Sequence, residues 1–109
     1  MLSDKTIEIL ENNDIHPYDR DEQDGEYYRE IEFYSPAGED VIETIRYDGT
    51  DEGFISAFKE VAEDFDVDEH ATMWIENRRS VRGVPQRIRD LIDDAEWIKN
   101  KLLEVAREF

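Results

Sequence analysis

Residues 27–65, YYREIEFYSPAGEDVIETIRYDGTDEGFISAFKEVAEDF, change hydrophobic period once, and that change decides the fold class. From Tyr27 to Tyr34, Ile31 and Phe33 alternate with Glu30 and Glu32. From Val41 to Tyr47, Val41, Glu43, Ile45 and Tyr47 alternate against Ile42, Thr44 and Arg46. A two-residue period is that of a strand with one face buried. The intervening Ser35-Pro36-Ala37-Gly38-Glu39-Asp40 is rich in turn formers and too short for a parallel crossover, so the two strands are expected to form an antiparallel hairpin. Beyond Thr50 the period becomes helical: Phe54, Phe58, Val61, Ala62 and Phe65 share one side, with Thr50 as cap and Asp51 and Glu52 in the first turn.

Upstream, Ser3 is placed to cap a short helix carrying Ile7, Ile9 and Leu10, which Asn12-Asn13 ends. The run from His16 to Glu26 has Pro17, several acids and Gly25 but no apolar period, and is expected to be an exposed connection without an element. Downstream, Asp66 or Asp68 can cap a helix in which Ala71, Trp74, Ile75 and Arg78 share a side. Pro85 suits the first turn of a long helix whose stripe runs through Ile88, Leu91, Ile92, Ala95, Ile98, Leu102, Val105, Ala106 and Phe109. The reading is an α+β fold in two layers: a short N-terminal helix, an antiparallel hairpin, and three helices packed on it. At 109 residues the chain suits one domain with one core, spanning residues 1–109.

Thirty acids against thirteen bases leave a net charge of −17. The surplus is uneven: residues 1–76 hold 24 acids and 5 bases, and 77–109 hold 6 acids and 8 bases. Such a charge repels nucleic-acid phosphate and anionic lipid, so neither direct nucleic-acid binding nor a membrane partner is expected, and it attracts basic protein surfaces. The chain has no cysteine, an N-terminus unlike a signal peptide, and no apolar run of membrane-spanning length, which reads as cytoplasmic.

Motifs for chemistry are sparse. Asp19, Asp21 and Gln23 occupy the first, third and fifth positions of a calcium-type loop with Glu30 at the twelfth, but Asp24 stands where the turn needs glycine. Asp64, Asp66, Asp68 and Glu69 form a second acidic group, better explained by one helix ending and another beginning. His16 and His70 have no visible partners, and there is no glycine-rich phosphate loop or zinc spacing. No catalytic residue, metal ligand or cofactor is therefore assigned, and a non-enzymatic role is expected. Arg78, Arg79, Arg82, Arg87 and Arg89 form one basic island that either neutralises the protein's own acids or grips an anion. Trp74 and Trp97 serve either as core residues or as partner anchors.

The candidate partner-binding surface is the acidic set Asp19, Asp21, Glu22, Asp24, Glu26, Glu30, Glu32, Glu39, Asp40 and Glu43 around the hairpin, with Glu60, Glu63 and Asp64 on the polar side of the central helix. Duplex DNA carries about one negative charge per 1.7 Å of axis, so a row of carboxylates can occupy a groove built for that backbone. The expected function is an acidic inhibitor that binds a basic protein surface, as a DNA mimic blocking a nuclease or DNA-binding protein. The alternative is a protein-interaction or adaptor domain without mimicry.

From Tyr47 to Ala106 the chain also resembles small acidic proteins of Firmicutes mobile genetic elements, through Tyr47-Asp48-Gly49-Thr50, the stretch from Asp66 to Ile75, Gly83-Val84-Pro85, and Leu91 to Ile98. The resemblance implies a setting shared with anti-restriction and anti-CRISPR inhibitors.

Overall fold

The computed structural model describes residues 2–18, 21–23, 25–77 and 88–109, with the backbone course alone at 21–23, 74–77 and 88. The order is α1 (Asp4–Asn12), β1 (His16–Pro17), β2 (Asp21–Gln23), β3 (Glu26–Tyr34), β4 (Asp40–Tyr47), α2 (Asp51–Asp64), α3 (Val67–Asn77) and α4 (Ile88–Glu108). This is the expected α+β hairpin-and-helix arrangement.

The correction lies between His16 and Glu26, where no element was expected. There β1 and β2 pair in succession with one edge of β3, His16 opposite Glu32 and Glu22 opposite Tyr27, while β4 pairs with the other edge. All pairings are antiparallel. The segment lacks an apolar period because it is a short edge strand. Pro17, on the inward side opposite Ile31, is its buried contribution, and proline is tolerated at an edge where no inner ladder bond is lost.

The hairpin is set by its loop. Ser35 donates its N–H to the Glu39 carbonyl at 3.0 Å and accepts from Gly38 N–H at 2.8 Å, while its hydroxyl accepts from Glu39 N–H at 3.0 Å. The loop closes through Gly38 at φ +91°, a left-handed conformation that glycine adopts without a Cβ clash. The register then runs unbroken from Tyr34 opposite Asp40 to Tyr27 opposite Tyr47.

Alternation gives the sheet two unlike faces. Ile31, Phe33, Val41 and Ile45 point inward and are buried against Phe54, Phe58 and Ala62 of α2 and Ile98, Leu102, Val105 and Ala106 of α4, with Leu2, Leu10 and Ile15 closing one end. Each large apolar side chain so buried contributes about 1.5–3 kcal/mol. Phe109 completes the aromatic centre, its ring 5.2 Å from that of Phe58 and 6.5 Å from that of Phe54.

Side-chain caps hold the helix ends. Ser3 caps α1 and Thr50 caps α2. Asp66, not Asp68, caps α3, accepting from Glu69 N–H at 3.0 Å. Asp51 ties two N-termini together by accepting from Ser3 N–H at 2.8 Å and the Thr6 hydroxyl at 3.0 Å. Pro85 and the arginines from Arg78 to Arg87 lie outside the described residues, so the basic island is represented by the exposed Arg89 alone. Among the described residues, no helix is long and apolar enough to cross a membrane.

Candidate partner-binding surface

The outward parity of the sheet carries Tyr28, Glu30, Glu32 and Tyr34 on β3 and Asp40, Ile42, Thr44 and Arg46 on β4. The helices of the core pack on the other face, so this one meets solvent: Tyr34 is 62% and Ile42 51% exposed. His16 stands opposite Glu32, and Tyr18 lies opposite Glu30, donating its N–H to the Glu30 carbonyl at 2.9 Å. The face is thus a strip of carboxylates interleaved with tyrosines.

Its charges are coupled. The Tyr18 hydroxyl donates to Glu32 Oε1 at 2.7 Å, which with a hydrogen bond to Asp40 holds the Glu32 carboxyl below its usual range. Asp40 is pushed up, first by that same bond with Glu32. Asp40 and Glu32 together raise Tyr34, and the bond to Glu32 raises Tyr18. At the far end Arg46 lies 3.9 Å from Glu26 and 5.8 Å over the Tyr28 ring, an exposed and weak pairing that partly offsets the acidic charge there.

The structure divides the expected acidic set. Glu26, Glu30, Glu32 and Asp40 share the open sheet face or its end, and Glu60, Glu63 and Asp64 are exposed on α2. Asp21 and Glu22 fall in β2, opposite Tyr28 and Tyr27. Asp19 and Asp24 lie outside the described residues, and so does the first position of the calcium-type loop, while its third and fifth positions, Asp21 and Gln23, fall in β2 and its twelfth, Glu30, in β3.

Glu39 and Glu43 are corrections. Both have the inward parity of Val41 and Ile45. Glu43 is half-buried, and loss of solvent raises its carboxyl although His70 opposes the shift. Glu39 is 3% exposed. Neither can present a carboxylate to a partner on the open face.

Glu39 instead nucleates a buried polar group that the sequence did not disclose. His70 Nε2 of α3 lies 3.1 Å from Glu39 Oε1, and Asp94 of α4, also buried, accepts from Ala37 N–H at 3.4 Å. Burial, then a hydrogen bond with Glu39, pushes Asp94 up to about 6. The His70 ring packs at a tilt against Phe65, 5.2 Å between ring centres. The three residues are 31 and 24 positions apart, and the only available signal was that Glu39 continues the inward alternation of β4 across the turn.

Among the described residues no three metal-ligating side chains converge; the Asp64–Glu69 group is drawn into capping through Asp66. Trp97 is half-exposed, its ring 6.3 Å from Phe33, with Lys101 Nζ 5.2 Å from both ring centres. It therefore bridges core and surface. Comparison with protein-family models, with curated proteins and with solved structures found no match to the chain.

Proposed function

We propose that the protein is a non-catalytic binder of a basic protein surface, engaging it through the open face of the sheet. The observation that carries this reading is the exposed strip, uncovered by any helix among the described residues, in which Glu30, Glu32 and Asp40 alternate with Tyr18, Tyr34 and Ile42. Carboxylates there steer and pair with lysines and arginines, and the tyrosines supply rigid contact area and cation–π partners. The net charge of −17 speeds the encounter with a positive surface.

The partner class that fits is a protein whose own task is to grip nucleic-acid backbone, such as a nuclease or another DNA-binding protein, with the acidic face occupying the phosphate-binding groove. The resemblance of residues 47–106 to small acidic proteins of mobile genetic elements is in keeping with this reading. The exposed Tyr34 and Ile42 favour a second reading, an adaptor whose affinity comes from apolar contact at the same face without mimicry.

One experiment separates them. Proteins captured on the immobilised chain at low salt are eluted with a salt gradient and, in parallel, challenged with duplex DNA. A nuclease or DNA-binding protein displaced by both, and not captured by Glu30→Lys/Glu32→Lys, supports the decoy. A partner that resists salt and DNA but is lost on Ile42→Ser supports the adaptor. Capture unaffected by either variant removes the open face from both readings.

A further inference from the structure

The free edge of β4 lies outside the surface described above, and its backbone can be followed residue by residue. Ser35 N–H bonded to the Glu39 carbonyl sets the ladder parity on that side of β3, and Tyr18 N–H bonded to the Glu30 carbonyl sets it on the other. The two agree: Val41, Glu43, Ile45 and Tyr47 exchange bonds with β3, while Asp40, Ile42, Thr44 and Arg46 turn their N–H and C=O groups away from it. Among the described residues no further strand pairs there. The edge is eight residues long, continuous in register and free of proline and of bulges, and the device that guards it is the inward-pointing carboxylate of Glu43, which a cation on an incoming strand would match.

A groove of about 410 Å³ runs between this edge and α2. Ala57, Val61 and Phe65 supply its apolar lining, and Glu43, Glu60 and Asp64 its charge. Among the described residues none of these three carboxylates is in an ion pair. Arg46, the one cation of the lining, is directed to Glu26 and Tyr28 on the open face.

We infer that the β4 edge and the β4–α2 groove form a docking site for an extended basic peptide segment, which adds to the sheet as a new edge strand and lays lysine or arginine side chains along Glu43, Glu60 and Asp64. The backbone groups at Ile42 and Thr44 supply affinity that is indifferent to sequence, and the groove supplies selection. A cation beside Glu43 offsets the burial that otherwise disfavours its charged form. A second copy of the chain is the poorer occupant, because β4–β4 pairing would bring together two bodies of charge −17 and two sets of the same carboxylates.

The test uses the full chain and a peptide of alternating lysine and valine about nine residues long. Its controls are an alternating glutamate–valine peptide and the basic peptide N-methylated at alternate residues, which keeps the charge and removes the ladder bonds. The expected result is binding of the basic peptide with new protection of the Ile42 and Thr44 amides. About tenfold weaker binding is expected for the N-methylated form and for Glu60→Lys/Asp64→Lys. Both α2 residues are exposed, so that variant stays folded. Glu30→Lys/Glu32→Lys, which changes the net charge by the same amount, should weaken this binding far less than the α2 variant, which separates failure here from failure of the open-face reading. Equal binding of the N-methylated peptide, or amide changes confined to β3 with Ile42 and Thr44 unprotected, overturns the proposal. So does protection of Ile42 and Thr44 without peptide in a concentration-dependent dimer.

Discussion

His70 Nε2 and Glu39 Oε1 lie 3.1 Å apart, with the Glu39 side chain 2% exposed and that of His70 17%. This contact pins the first turns of α3 to the hairpin loop. A buried carboxylate deprived of such a partner retains its desolvation cost. His70→Ala is therefore expected to lower unfolding stability by about 1–3 kcal/mol, and His70→Gln, which keeps a donor, to recover part of it. Urea denaturation of the two variants provides the check. Equal loss in both would mean that ring packing on Phe65 is what His70 contributes.

Asp94 makes stability pH-dependent. Its carboxyl is raised from 3.8 to about 6 by burial and by its hydrogen bond with Glu39. A group that binds its proton more tightly when folded stabilises most below the unfolded value, and that contribution disappears as pH rises through the folded value. The Asp94 contribution should thus fall between about pH 4 and pH 6. Asp94→Asn, uncharged throughout, should flatten the profile in that window and be more stable than the parent at pH 7. Thermal midpoints from pH 4 to pH 8 measure both effects, and parallel profiles would remove Asp94 as their source.

Lys99 of α4 ends α2. Its ammonium donates to the carbonyls of Ala62 at 3.3 Å, Glu63 at 2.9 Å and Phe65 at 2.6 Å. These belong to the last turn of α2 and its cap, where the helix dipole is negative. Lys99→Met keeps the aliphatic stem and should cost about 1–2 kcal/mol, with faster amide exchange over the last turn of α2. Loss of stability without that local change would assign the cost to α4 itself.

Two glutamates of the hairpin should respond unequally to neutralisation. Glu43 has the inward parity and burial raises its carboxyl, whereas Glu30 is exposed on the open face. Glu43→Gln is expected to raise stability at pH 7, by no more than about 1 kcal/mol given the solvent still reaching the group. Glu30→Gln should stay within about 0.5 kcal/mol of the parent. Chemical denaturation of the pair decides the matter, and equal shifts would contradict the face assignment.

The hairpin, the central helix and their caps were readable because each rests on local physics: a period of two or of 3.6, a turn-forming loop, and a side chain bonding to N–H groups three residues away. Thr50, Ser3 and Asp66 cap their helices by this logic. The edge strands β1 and β2 were not readable, since a strand gripped along one side by β3 needs no alternation of its own and can include Pro17. The acidic surface was half readable. Alternation groups Glu30 with Glu32, and the same alternation places Glu43 with Val41 and Ile45 on the buried side, where parity outweighs charge.

What the sequence determined by itself was therefore the element types, the antiparallel hairpin, the apolar stripes and the sign of the surface charge, because each depends on residues a few positions apart. Which carboxylates remain at the surface depends instead on how distant segments pack. Glu39, His70 and Asp94 come together because the hairpin loop is pressed between α3 and α4, and Glu32 and Asp40 meet because the β3–β4 register makes them neighbours. Charge is a property of the residue, but the solvent and partners that set its energy are supplied by distant chain segments, and only the packed fold brings those segments into place.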